Sequence, residues 1–273
     1  MTKTYADLFA GIGGFHQAAK ELGLKCAFTS EIDEAARATY LANHDTPMMN
    51  EDIRALTLAD LPDFDFLFAG FPCQPFSQAG FKRGFNDERG NLFFNIYKIL
   101  EAKRPTGFFL ENVRGLLKHD NGRTLAVIKE ALLSLGYSVE YKVIFAKDFG
   151  VPQLRPRLFI IGNRVGAKYE WPEPIELQKT LNDILGGECP RDIGFTLRVG
   201  GRGSPINGRH NWDGYWVNGE ARRLTVEQSA ALQGFPKGFS FPGSKAQAMK
   251  QLGNSVAVPA IKAHLRALVE ATS

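Results

Sequence analysis

The sequence predicts a doubly wound α/β fold carrying a small second domain, and two patterns support that expectation. Up to about Asn163, apolar runs rich in β-branched and aromatic residues alternate with helical stretches, the order of a parallel sheet whose strands are joined by helices. Beyond Asn163 the alternation gives way to Gly, Pro, Arg and large aromatic residues. With 273 residues, the chain is long enough to bury a full core in one large domain.

The elements follow in order. A strand over 4–8 (TYADL) runs into the glycine-rich turn Phe9-Ala10-Gly11-Ile12-Gly13-Gly14, and a helix over 15–22 follows. A strand over 25–30 ends in Glu31-Ile32-Asp33, ahead of a helix over 34–43. The run DFLFA at 65–69 is a third strand leading to Phe71-Pro72-Cys73-Gln74-Pro75-Phe76, and a helix over 92–103 precedes a strand over 107–110 that runs into Glu111-Asn112-Val113. Asp120-Asn121-Gly122 reads as a capping and turn sequence for a helix over 123–135. Strands over 139–145 and 158–161 bracket Gln153-Leu154-Arg155-Pro156-Arg157. The following segment reads as folded, because Trp171, Phe195, Trp212, Tyr215 and Trp216 are too many large aromatics for a disordered chain. Helices over 226–232, 245–252 and 257–270 complete the chain. Domain limits are expected at 1–185, 186–221, 222–252 and 253–273.

Composition narrows the function less than the motifs do. A net charge of +4 and a pI near 8.9 are compatible with a nucleic-acid partner without requiring one. No apolar run reaches membrane-spanning length, and the first strand leaves no room for a signal peptide, so a cytoplasmic protein with no membrane partner is expected. The three cysteines, Cys26, Cys73 and Cys189, are odd in number and lack metal-ligand spacing, which argues against a disulfide framework or a metal site and leaves one of them available for reactivity.

Several motifs sit where strands end. The glycine turn allows positive φ and close backbone approach to a ligand. Taken alone it fits a phosphate loop or a tight strand-to-helix turn equally, but its spacing departs from G-x-G-x-x-G and Glu31 is suited to a ribose diol. Cys73 lies between Pro72 and Pro75, which fix φ twice and remove donors, so the loop presents the thiol instead of packing it. Glu111 belongs to the strand expected beside the one leading to Cys73, and adjacent strands lie roughly 5 Å apart. The two side chains can therefore reach opposite edges of one flat ring. Arg155 and Arg157, two apart in an extended segment, point to one face, and Pro156 between them marks an edge or loop. A thiol, a carboxylate and two guanidiniums at one sheet edge are what methylating a pyrimidine carbon requires. A thiolate adding to C6 activates C5, and the carboxyl holds a proton where charge builds on N3.

With Asp7 to Phe15 (DLFAGIGGF) and Gly253-Asn254-Ser255-Val256, this set resembles the DNA (cytosine-5)-methyltransferase family of bacterial restriction-modification type, in family order from Asp7 to the final helix. The resemblance implies a Rossmann-like sheet dependent on S-adenosylmethionine, with S-adenosylhomocysteine as product. Glu31 would hold the ribose, Phe9 and Ile32 would sandwich the adenine, and Asp52 would accept its amine. Gly11, Gly13, Gly14, Ile53, Leu92 and Ser255 would complete the cofactor site, closed by Asn254. Cys73 would be the nucleophile and Arg157 would contact the ring oxygen and support Glu111. Arg155 would meet backbone phosphate or the same network, and Asn112 would fix the loop.

The loop with Ser77, Lys82 and Arg83 would grip DNA beside the nucleophile. Arg198, Arg202 and Arg209, in the recognition segment 186–221, would read bases or grip phosphate. Residues 222–252 would form a hinge and the next family motif. The implied partner is double-stranded DNA, with a cognate restriction endonuclease in the same system and a monomeric enzyme. An RNA-directed relative acting on tRNA, and a non-catalytic DNA-binding relative, are the alternatives.

Overall fold

A computed structural model of the chain describes residues 2–72 and 92–273. At its centre is a seven-stranded sheet built from β1 (Thr4–Leu8), β2 (Lys25–Ser30), β3 (Met49–Asn50), β4 (Phe66–Gly70), β5 (Gly107–Val113), β6 (Glu140–Phe145) and β7 (Pro156–Asn163). The strand order is β3-β2-β1-β4-β5-β7-β6. Neighbours from β3 to β5 pair parallel, and β7 pairs antiparallel with both β5 and β6. The order reverses between β1 and β4, the switch point beyond whose strand ends such sheets hold ligands.

Alternation along the strands assigns each face its core. Tyr5, Phe68, Phe109, Phe159 and Ile161 pack with Phe15 of α1 (Gly14–Lys20) and with Ile261, Leu265 and Leu268 of α8 (Val258–Ala271). Leu8, Leu67, Phe108, Leu110 and Ile160 face the other way. They pack against Phe93, Ile96 and Leu100 of α3 (Leu92–Lys103) and Leu125, Ile128 and Leu132 of α4 (Arg123–Ser134). Both sheet faces are covered, which is why these strands read as nearly continuous apolar runs. Each large apolar side chain buried this way contributes about 1.5–3 kcal/mol.

Helix starts follow local chemistry. Asp33 accepts from Ala36 N at 3.0 Å and caps α2 (Glu34–Leu41). Capping boxes at Thr225/Gln228 and Ser244/Gln247 begin α6 (Val226–Gln233) and α7 (Lys245–Asn254). α4 departs from expectation, because Asp120 and Asn121 adopt left-handed φ values of 49° and 54° and no side chain caps the helix. The three residues before it form a turn only.

β5 extends three residues past its expected end, so Glu111 has ladder neighbours on both sides, Gly70 of β4 and Phe159 of β7. Among the described residues, elements not foreseen include β3, the short α5 (Leu181–Leu185), a hairpin of β8 (Gly214–Val217) and β9 (Glu220–Arg223), and several short 3-10 turns. The hairpin turns at Asn218-Gly219, both with positive φ, the sequence signal for a tight primed turn. Its Tyr215 and Val217, with Leu181, Leu197 and Trp212, join the same apolar cluster as α1 and α8. No helix among the described residues is long and apolar enough to cross a membrane.

Candidate active site

A cavity of about 710 Å³ opens at the carboxyl ends of β1, β2, β4 and β5. Of the residues expected to hold a cofactor, Phe9, Gly11, Gly14, Glu31, Ile32, Asp52, Ile53, Leu92, Asn254 and Ser255 line it. Gly13 does not. With φ at 84° it is the N-cap of α1, and a side chain there would collide with the His44 ring, so its role is to let the turn pack against α2's end. At Gly14 an added Cβ would stand 2.5 Å from Val256 Cγ2, so the turn and the Gly253–Val256 segment meet without room for a side chain.

The wall chemistry is specific. Glu31 accepts from Gly11 N and Asp33 N, each at 2.8 Å, which fixes its carboxylate while leaving lone pairs free. Ile32 is 60% exposed at the rim. The Asp52 carboxylate is gripped by Arg54, Nη2 to Oδ2 at 2.6 Å and Nε to both oxygens, so an incoming amine shares those oxygens with a guanidinium. Ser30, Gly70, Phe71, Pro72, Asn112 and Val256 also line the cavity. None of these six was singled out from the sequence as a cofactor ligand.

Glu111 reaches the same cavity from β5 and is 8% exposed. Arg157 pairs across from Val113, two residues on from Glu111 along the same face, a diagonal that a long side chain spans. Its Nε lies 2.9 Å from Glu111 Oε1, an ion pair whose N–H is not aligned on the oxygen. Burial pushes the Glu111 carboxyl's affinity for a proton up, and the nearby guanidiniums of Arg157 and Arg155 offset that only in part. The group is thus a buried acid that retains a proton more readily than a solvated one. Asn112 Nδ2 donates to Phe71 O at 2.8 Å, tying β5 to the chain that leaves β4.

Of the two places expected for Arg155, a backbone phosphate and the Glu111 network, the structure favours the second. Arg155 precedes β7 rather than extending it, is 2% exposed, and donates to the carbonyls of Leu197, Gly253 and Ser255. A guanidinium enclosed this way cannot reach a DNA phosphate. Both arginines border one small cavity with Glu111, the neighbourhood the family resemblance implies. Gln153, quoted in the motif but given no role of its own, is fully buried and bridges Leu197 N, Leu232 O and Gln233 Oε1.

In the basic segment, Arg198 donates to His210 O at 2.9 Å and Arg209 to the His210 ring at 3.0 Å, and both remain exposed. Arg202 Nε lies 3.5 Å from fully buried Asp213, which also receives Arg223 at 2.7 Å. Cys73, Ser77, Lys82 and Arg83 lie outside the described residues.

Comparison with known proteins agrees with this geometry. The family model for C-5 cytosine-specific DNA methylases matches residues 4–198 and 191–270. Type II methyltransferase M.NlaX of Neisseria lactamica is 43% identical over 94% of this chain and 93% of its own length. Type II methyltransferase M.DsaV of Dactylococcopsis salina is 42% identical over 95% of this chain and 84% of its own. Among solved structures, a Spodoptera frugiperda DNMT2 mutant superposes with a TM-score of 0.77 at 20% identity, covering 98% of this chain and all of that one, a likeness of fold. The chain therefore belongs to the C-5 cytosine-specific DNA methylases and is a DNA cytosine-5 methyltransferase.

Proposed function

We propose that this enzyme methylates one cytosine of a short duplex DNA site, using Cys73 as a covalent nucleophile on a base turned out of the helix. The observation that carries the reading is the buried Glu111–Arg157 pair, which opens into the same cavity as the glycine turn and Glu31. A cytosine held there would meet Glu111 along N3 and the exocyclic amine and Arg157 at its ring oxygen. Pro72 lines the cavity and Cys73 is the next residue in the chain. Thiolate addition to C6 makes C5 an enamine carbon able to accept a methyl group. Loss of the C5 proton then expels the thiolate. Glu111 supplies and recovers the proton at N3. A base stacked in a duplex is out of reach of such a pocket, so it must be flipped out.

The pocket's other end suits S-adenosylmethionine. Phe9, Ile32, Ile53 and Leu92 offer apolar surface for the adenine, Glu31 offers fixed acceptors for the ribose, and the bare turn at Gly11 allows close approach. That molecule would supply the electrophilic methyl group. Specific recognition falls to residues 186–221, where Arg198 and Arg209 are exposed and Arg202, also exposed, is partly engaged by Asp213. A monomeric bacterial cytoplasmic enzyme paired with a restriction endonuclease is the proposed setting.

Methyl transfer from labelled S-adenosylmethionine to duplex DNA, compared with tRNA and with a Cys73→Ser variant, tests the reading. Transfer to duplex DNA only, abolished by the serine, is expected, since an alcohol is a far weaker nucleophile than a thiolate. DNA bearing 5-fluorocytosine should form a covalent adduct with the unmodified enzyme, because fluorine cannot leave as the proton does. Full activity in the serine variant without any trapped adduct would overturn the mechanism.

A further inference from the structure

Arg155 holds the Leu197, Gly253 and Ser255 carbonyls through its two terminal nitrogens. Its Nε has no hydrogen-bond acceptor among the described residues, and Oε1 of Glu111 has no aligned donor there. Arg155 and Glu111 both border a second, small cavity of about 10 Å³, walled also by Phe159, Val256 and Ala260. A single water needs roughly 10–15 Å³ of such space and at least two polar partners. Arg157 borders the same cavity and offers a further donor. The residues that carry this donor and this acceptor, each more than nine-tenths buried, thus border one water-sized space. Arg155 Nε left without an acceptor would be expensive, and Oε1 of Glu111, already 2.9 Å from Arg157 Nε, keeps a lone pair for a water's hydrogen.

We propose that this cavity is a single-water site in which the water accepts from Arg155 Nε and donates to Glu111 Oε1, making Arg155 a positioning residue for the catalytic carboxyl. The inference rests on Glu111 acting on the base as described above. It gives Arg155 a double role. Its terminal nitrogens fasten the first turn of the recognition segment and the cofactor wall, while its Nε fixes the acid through one solvent molecule. Among the described residues, the charged groups acting on Glu111 are Arg157 of β7 and Arg155 before it. Among the described residues, nothing acidic opposes them.

A crystal structure of the unmodified enzyme resolving ordered solvent should show one peak within about 3.2 Å of both atoms. An empty cavity, or a water bonded to only one of them, would overturn the site whatever Glu111 does. Single-turnover methyl transfer against pH supplies the second arm. With the protonated acid as the active form, Arg155→Gln removes a cation and raises the apparent pKa of Glu111. The alkaline limb should then move up by roughly one pH unit. Arg155→Lys retains the charge and should shift the limb less than half as far. A merely structural arginine would lower thermal stability and rate in both variants with no displacement of the limb, and that result sinks the positioning role. Failure of the functional reading has a different signature, undiminished methyl transfer by Glu111→Gln.

Discussion

Glu111→Gln isolates the proton from the shape of the side chain. The amide fits the same space between Gly70 and Phe159 but cannot hand a proton to N3. At 2.9 Å from Arg157 Nε, the carboxylate is attracted by roughly 6 kcal/mol at an effective dielectric near 20. Burial nevertheless raises the carboxyl's proton affinity overall, so desolvation outweighs what both guanidiniums return. Folding stability should therefore change little, by about 1 kcal/mol or less. Turnover should fall roughly a hundred- to ten-thousand-fold, about 2.7–5.4 kcal/mol of barrier.

The sign of the pH effect follows from the direction of the shift. A carboxyl whose folded pKa is raised contributes stability present below the ordinary carboxylate range, lost as pH rises through the folded value. The glutamine variant should lack that decline. Single-turnover transfer on duplex DNA, beside calorimetric titration with S-adenosylhomocysteine, separates chemistry from binding. Lost cofactor affinity with an unchanged rate per bound complex would refute the assignment and move Glu111 into the cofactor site.

Other consequences follow from single residues. His264 lies among Phe149, Phe159 and Trp171, and burial pulls its pKa down to about 4. Its contribution is present above about 6.5 and lost as pH falls towards 4, with a slope of about 1.4 kcal/mol per unit, so His264→Phe should flatten that part of a urea-midpoint-against-pH curve; an unchanged slope would exclude it. Gly253→Ala would set a Cβ 2.6 Å from Arg198 C, a backbone atom that cannot swing aside, and should lower stability by about 1–3 kcal/mol and weaken cofactor binding. Equal urea midpoints and equal titrations would contradict that. Alanine at Arg198 should relax preference at one base position, whereas alanine at Lys82 or Arg83 should weaken binding to all sequences and flatten its salt dependence. Methylation maps showing identical preference in all of them would assign base reading elsewhere.

The sheet was legible because its strands are buried on both faces, so runs such as 65–69 and 158–161 stand out without help from tertiary context. Glu111's place at the sheet edge was legible because adjacency of β4 and β5 follows from the winding order, whereas the arginines were reached through the family motif. Arg155's real partners were not legible. Three carbonyls from positions 197, 253 and 255 converge on it, and no local spacing encodes contacts across 42 to 100 residues. Asn112 was expected from the family motif to fix the loop, but its partner, Phe71 O, was hidden because it depends on strand register. β3 is two residues long and carries no period to read. The β8–β9 hairpin did carry a signal, Asn218-Gly219, masked by the irregular composition around it.

The close contact of Gly253 with the backbone of Arg198 and Val199 sets a boundary for anyone exchanging specificities between such enzymes. Leu197 is fastened at both its N–H and its carbonyl, by Gln153 and Arg155, and the chain re-enters the core at fully buried Leu224, whose N–H donates to Asp213 O at 2.8 Å. If residues 186–221 read the target as proposed, the part that can be exchanged without disturbing these contacts lies between Val199 and Leu224, and any reading by Arg198 stays with the scaffold. Asp213 and Arg223 both lie inside it and should be exchanged together, because that buried carboxylate and its arginine close the insert on itself. A graft cut a few residues earlier would carry foreign backbone onto the cofactor wall, and a new target preference would then arrive together with a damaged methyl-donor pocket.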